Sequence, residues 1–282
     1  MKTIILVLLY DKAIDESETL ISLKDNEYTN YDLVIYNNGP NLLGDDPLFN
    51  DLKVKLNSIN LYQDISNKPL SIVYNDFFSN NKAYDRFIIF DDDTIIPGGF
   101  FSDIDSSLKH SDIDLQLPLI KSKTTDEIFY PAANSKVIFS ERSFGNNEYI
   151  LSIGSGLIIY SKLISLFNQY NLTLFDERFA LYGVDFSLFR RIQRLKDRGE
   201  IINIQCKSFL WHSLSRTDSN DSLWRQNERL IDTVLSILFY SPLYKIIYSI
   251  SKLLFINALK LNTNNIKTII NVLMIRKHPR CK

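Results

Sequence analysis

Residues 86–100 read RFIIFDDDTIIPGGF, and the fold is read outward from there. The apolar run 86–90 has the length and composition of a buried strand, and it stops at three consecutive aspartates, Asp91, Asp92 and Asp93. Upstream, Thr3–Leu9 (TIILVLL) and 32–36 (DLVIY) are runs of the same kind, and 70–74 is a candidate for another. Asn37-Asn38-Gly39-Pro40 breaks the second run. A helical pattern with acidic first-turn residues occupies 13–23, where the negative charges suit the positive end of the helix. Strands alternating with helices imply parallel βαβ units. In such sheets ligands gather beyond the carboxyl ends of the strands. Here those ends carry Tyr10-Asp11, Asn37-Asn38-Gly39 and the aspartate triplet.

Along an extended chain side chains alternate, so Asp91 and Asp93 are expected to face one way and Asp92 the other. Hard divalent cations take carboxylate oxygens and keep positions for phosphate oxygens and water. A metal so held can act as a Lewis acid on a departing diphosphate. The competing reading is a turn or a helix N-cap, where aspartate is common.

Downstream come an apolar strand at 114–120, a polar loop at 121–136, and 149–160 (YILSIGSGLIIY). Residues 175–195 lead into a helix with Leu188, Ile192 and Leu195 on one face. Short strand-like runs follow at 201–204 and 208–211. From Trp224 the pattern is helical to the end, broken at Ser241-Pro242. There is no internal repeat.

The stretch around 90–93 resembles the aspartate motif of inverting family-two glycosyltransferases with a GT-A fold, in the form found in bacterial rhamnosyltransferase-like members. Four further segments resemble the family in the same order: VIYNNGP (34–40), IGSGLIIY (153–160), FDERFALYGVDFSLFRR (175–191) and Trp211-His212. The resemblance spans 3–215. It implies an α/β GT-A catalytic domain over 1–222, a Rossmann-like mixed sheet; the helical pattern and charge of the remainder read as a basic helical extension over 223–282. The resemblance also implies transfer from a UDP- or dTDP-sugar to a glycan acceptor, with Mg²⁺ or Mn²⁺ as cofactor. Cell-surface polysaccharide synthesis is the setting such relatives suggest.

By the same resemblance Asp91 and Asp93 flank the metal and diphosphate, with Asp93 the favoured ligand, and Asp92 contacts the donor ribose or sugar. Asp185 is the candidate general base, which an inverting transfer needs on the acceptor hydroxyl; a plain N-cap is the alternative. The family often has Glu-Asp there, and this chain has Val184-Asp185. Asn37 stands where the family usually has the aspartate that reads the nucleobase, and its amide oxygen can still accept a hydrogen bond. Tyr10 either stacks on the base or closes the core. Gly154, Ser155 and Gly156 line the cleft or make a bulge. His212 either completes the metal site as a neutral imidazole or is a structural histidine.

Composition bounds these readings. Of 282 residues 45% are hydrophobic, enough for a sizeable core. Cys206 and Cys281 follow no metal spacing and read as free thiols in a reducing, cytoplasmic setting. The first ten residues suit a buried strand better than a signal peptide, because acidic residues replace a small-residue cleavage site. Residues 225–282 hold ten of the 32 basic residues and two of the 33 acidic ones, Glu228 and Asp232, so the tail is near +8 and the body near −9. The acidic body argues against nucleic acid. The tail over 235–282, with Lys245, Lys252 and Lys260 set among apolar residues, is either an amphipathic helix for an anionic membrane surface or a helix packed on the domain. A membrane-peripheral location would suit a lipid-linked acceptor. Two other classes of protein share parts of this pattern. A nucleotidyltransferase needs a Gly-rich basic loop after the first strand, and 9–18 lacks one. A degenerate GT-A domain would bind a nucleotide sugar or glycan without turnover.

Overall fold

A computed structural model describes residues 1–108, 112–213 and 222–281. The first half alternates strand and helix: β1 (Thr3–Leu9), α1 (Glu18–Asp25), β2 (Asp32–Asn37), α2 (Pro47–Lys55), β3 (Ser58–Gln63), α3 (Leu70–Asn80) and β4 (Arg86–Asp91). Then come β5 (Thr94–Ile95), α4 (Phe100–Leu108), β6 (Leu115–Ser122) and five short strands. These are β7 (Ile128–Tyr130), β8 (Ala132–Ala133), β9 (Lys136–Val137), β10 (Arg142–Ser143) and β11 (Ile150–Leu151). The chain continues through β12 (Leu157–Tyr160), α5 (Ser161–Gln169), α6 (Val184–Lys196) and β13 (Ile204–His212). Three helices follow: α7 (Leu223–Tyr240), α8 (Leu243–Leu259) and α9 (Thr263–Ile275).

The main sheet runs β10-β13-β6-β12-β4-β1-β2-β3. Strands β4, β1, β2 and β3 are parallel neighbours, while β12 lies antiparallel between β4 and β6. The sheet is therefore mixed and mainly parallel. Every residue of β1 is buried, because both faces are covered, as parallel sheets require. Alternation divides them: Ile4, Leu6 and Leu8 join the core beneath α3, α6 and α7, and Ile5, Val7 and Leu9 join the core beneath α1, α2 and α4. The first of these cores also takes in Ile231, Val234, Leu235, Ile250, Ile269 and Val272. The last three helices thus share one apolar interior with the sheet.

Three local expectations are corrected. Residues 70–74 are not a strand but the start of α3, which buries Val73, Tyr74, Phe77 and Phe78 at helical spacing. The third strand is β3, an edge strand whose residues are half or fully exposed; it carries no apolar run to betray it. The two runs 201–204 and 208–211 are not separate strands: 201–203 precede β13, and Ile204 and 208–211 lie in that one strand, whose register shifts between Cys206 and Phe209, with Ser208 at a positive φ of 61°. Helix α1 begins at Glu18, later than expected, because Ser17 caps it by accepting from Leu20 N–H. Both cysteines are buried and unpaired. Among the described residues no helix is long and apolar enough to cross a membrane.

Candidate active site

The carboxyl ends of β1, β2 and β4 lie in register, Leu9 beside Asn37 and Leu8 beside Asp91. The aspartate triplet sits on this rim and turns directly into β5. Polar bonds hold the turn. Asp91 N–H donates to Ser155 Oγ at 3.0 Å, and Thr94 N–H to Thr19 Oγ1 at 2.9 Å. Ser17 Oγ donates to the Asp92 carbonyl at 3.0 Å. Strand β5 pairs with β13, which sets His212 opposite Thr94. Residues more than a hundred apart in sequence meet there.

Asp91, Asp93 and His212 each offer one ligand atom within 4.8 Å of the others. His212 Nδ1 lies 3.1 Å from Asp93 Oδ1 and 3.1 Å from Thr94 Oγ1, and His212 Nε2 lies 3.8 Å from Asp91 Oδ2. Thr94 Oγ1 in turn meets Ser155 Oγ at 2.6 Å. Burial pushes Asp91 up to about 7; His212 opposes this, while Asp93, Asp185 and Asp92 reinforce it. Burial also works against the Asp93 carboxylate, but the His212 hydrogen bond and the fields of His212, Lys123 and Lys12 outweigh it and hold its pKa below the ordinary value. For His212 burial disfavours the charged form, and the two carboxylates overcome it, so its pKa is raised. Two carboxylates and an imidazole, crowded and short of positive charge, fit a hard or borderline divalent cation such as Mg²⁺ or Mn²⁺.

Asp92, in the turn after β4, bonds away from this trio. It accepts from Tyr10 N–H at 3.2 Å and from Lys12 Nζ at 2.6 Å, tying β4 to the end of β1. Beside this bond lies an open cleft of about 260 Å³, lined by Asp11, Lys12, Glu16, Asn37, Gly39 and Asn41, among others. Tyr10 is 47% exposed, so its ring is not a core ring. Asn37 is 1% exposed. Its amide donates to Asn41 O at 2.7 Å and Gln63 Oε1 at 3.1 Å and accepts from Gly39 N–H at 3.0 Å. Asn37 shapes the wall of the cleft as much as it faces it.

Asp185 lies in the first turn of α6, which follows Gly183 at a positive φ of 78°. The Gly154 N–H donates to the Asp185 carboxylate, and a Cβ on Gly154 would stand 2.5 Å from Asp185 Oδ1. Gly154 is thus glycine so that the two can meet. Burial drives Asp185 up to about 6; the Gly154 bond and His212 lower it, and Asp232 raises it. Gly156 has φ +87° and packs where a Cβ would meet Leu210 and Pro118 at 2.5 and 2.6 Å. Tyr74, 1% exposed, feels the charge of both Asp91 and Asp185. All the predicted residues therefore gather along one rim, with the cleft and Asn37 on one side and Asp185 on the other.

Sequence reasoning missed several supports. Lys12 was findable, since it follows a strand end of the kind that carries ligands. Thr19, Thr94 and Lys123 carry no signal of their own. Neither does Asp232 on α7, whose carboxylate reaches the Gly183 turn so closely that a Cβ there would overlap Oδ1 at 1.8 Å. Helix α7 also braces the segment before α6: Tyr240 Oη donates to Asp176 at 2.7 Å, and Arg178 stacks over Phe239 at 3.6 Å.

No family profile and no curated protein matches the sequence. Solved structures do match in fold. Residues 1–349 of S. aureus TarS superpose with a TM-score of 0.56 at 13% identity, covering 99% of this chain and 93% of that one. The S. aureus TarS 1–349 complex with UDP-GlcNAc gives 0.55 at 16% identity, covering 86% and 68%. GalNAc-T7 with UDP, GalNAc and Mn²⁺ gives 0.55 at 12% identity, covering 83% and 48%. The chain spans 40% of the longer S. aureus TarS chain. The fold is that of the GT-A glycosyltransferases.

Proposed function

We propose that this protein is a metal-dependent, inverting glycosyltransferase that moves a hexose-type sugar from a nucleotide-diphosphate sugar to a glycan acceptor. The observation that carries the reading is the meeting of Asp91, Asp93 and His212 beside an open cleft, with Asp185 across the same rim. The neighbours' complexes with UDP, UDP-GlcNAc and Mn²⁺ support it.

Asp93, Asp91 and His212 would hold Mg²⁺ or Mn²⁺. When bound, the ion supplies positive charge to a leaving diphosphate. The chain's own groups do the rest. The cleft between β1 and β2 takes the nucleoside, with Tyr10 as a stacking face and Asn37 as part of its wall. Asp92, joined to Lys12, fixes the rim where ribose and sugar pass. Gly154, Ser155 and Gly156 let backbone approach the sugar. Asp185 takes the proton of the acceptor hydroxyl as that oxygen attacks the anomeric carbon and the diphosphate departs from the opposite face. A buried carboxylate with a raised pKa is a stronger base than an exposed one. The acceptor class that suits the protein best is a lipid-linked glycan in cell-surface polysaccharide synthesis.

The test is calorimetric titration of UDP and of dTDP, with and without Mn²⁺, into wild type and Asp93→Ala. Binding of one nucleotide that requires both metal and Asp93 supports transfer and names the donor base. Binding that ignores both sinks the metal assignment. No binding at all favours a domain that has lost turnover.

A further inference from the structure

Helix α8 has two apolar sides. One packs inward: Ile250 and Asn257 are buried, and Ile246, Leu253 and Leu254 lie on the core. The other faces out. Leu243, Tyr244, Ile247, Tyr248, Phe255 and Leu259 are each between 61% and 73% exposed. At 3.6 residues per turn Tyr244, Tyr248, Phe255 and Leu259 form one narrow strip. Lys245 and Lys252 fall one residue further round, both exposed, with Lys252 Nζ 5.9 Å from the Tyr248 ring. Lys260 follows at the helix end. Across 245–282 there is no acidic residue to balance them.

We infer that the outer face of α8 seats the protein on an anionic phospholipid surface, with the Tyr244–Tyr248–Phe255–Leu259 strip entering the headgroup boundary and the lysines meeting lipid phosphates. The charge argument selects this occupant. A patch flanked along its own helix by Lys245, Lys252 and Lys260 favours a negative partner, and aromatic rings beside lysines suit the boundary between headgroup and acyl chain. As a statement about how a lipid-linked acceptor is reached, the inference rests on the transfer reading above; as a statement about a surface, it rests on α8 alone.

Vesicle flotation tests it, using the full chain with phosphatidylcholine vesicles alone and with about a third phosphatidylglycerol. Binding to the anionic vesicles only, and its loss in high salt, is expected. Lys245→Gln with Lys252→Gln should weaken that binding about thirtyfold, at about fivefold per lysine. Phe255→Ser with Leu259→Ser should weaken it about a hundredfold or more. These side chains are exposed, so both variants should fold, and unchanged circular dichroism checks it. Failure of the wild type to float with anionic vesicles overturns the proposal. So does undiminished binding by both variants. A dimer in light scattering that Phe255→Ser with Leu259→Ser dissolves, with no vesicle binding, would give the face to a second copy instead. A nucleotide titration run alongside separates the two proposals: vesicle binding without nucleotide binding keeps this one and sinks transfer.

Discussion

Among the described residues two clusters pair carboxylates with a histidine, and they are built to opposite ends. At the rim of the sheet, Asp91 and Asp93 crowd His212, with Asp92 and Asp185 adding to the negative field. At the foot of α7, Glu228 accepts from Arg280 at 3.0 Å and lies 3.2 Å from His278, both histidine and glutamate side chains being 6% exposed. The second cluster is sealed and balanced within itself. Burial works against the Glu228 carboxylate, but His278 and Arg280 overcome that and hold its pKa below the ordinary value. The first cluster is partly open; burial pushes Asp91 up, and the neighbouring carboxylates add to it. Negative charge left unbalanced at a strand end can take a cation; negative charge neutralised within the protein ties chain to chain. A histidine beside an acid does not by itself distinguish the two.

The sharpest way to break the comparison is Asp93→Ala. Transfer should fall about a thousandfold or more, since several kcal/mol of charge stabilisation depend on the ion, and nucleotide binding should lose its response to Mn²⁺. Folding, followed by thermal melting, should survive. Asp185→Asn should cost turnover about 10²–10⁴-fold while nucleotide affinity stays. With the Asp185 carboxyl pushed up to about 6, the base form is lost on acidification, so wild-type kcat/KM should fall off below about pH 6. A flat acid limb would move the base elsewhere.

Glu228→Ala should do the reverse. Nucleotide affinity should hold, while urea unfolding shows a loss of about 3–5 kcal/mol, the cost of leaving buried partners uncompensated. The smallest effect is a pH dependence. A folded pKa below the unfolded one stabilises above the unfolded value and loses that contribution as pH falls through the folded one. Wild type and Glu228→Gln should therefore differ in melting temperature at neutral pH and converge below pH 4.5, the ordinary glutamate value. A gap that persists in acid would show that packing, not charge, carries the cluster.

The comparison also marks what could be read from the chain. Strands β1, β2 and β4 are buried on both faces, so their apolar runs are plain in the sequence, and the triplet at the end of β4 points to the site. Strand β3 is an edge and hides. Segment 70–74 misleads because a helix buried along one side can begin with the same apolar residues as a strand. Asp185 and His212 were legible only through resemblance. What brings them to the rim is the β5–β13 pairing and the Gly154 contact, and neither is local. Asp232 was invisible, because its place against Gly183 exists only once α7 has docked on the sheet. The charge split between body and tail was visible; that α8 packs on one side and stays apolar on the other was not.

The chain's last described residues return to the rest of the protein at two places, one before α6 and one before α3. His278 N–H donates to the Arg178 carbonyl at 2.8 Å, and Arg280 donates to Asn67 Oδ1 at 2.9 Å. With the buried residues of α7, α8 and α9 in one core with the sheet, heat is expected to open the described elements together. Calorimetry should give one endotherm, its calorimetric and van't Hoff enthalpies equal. A nucleotide held at the rim should then slow amide exchange in α9 as much as in β1.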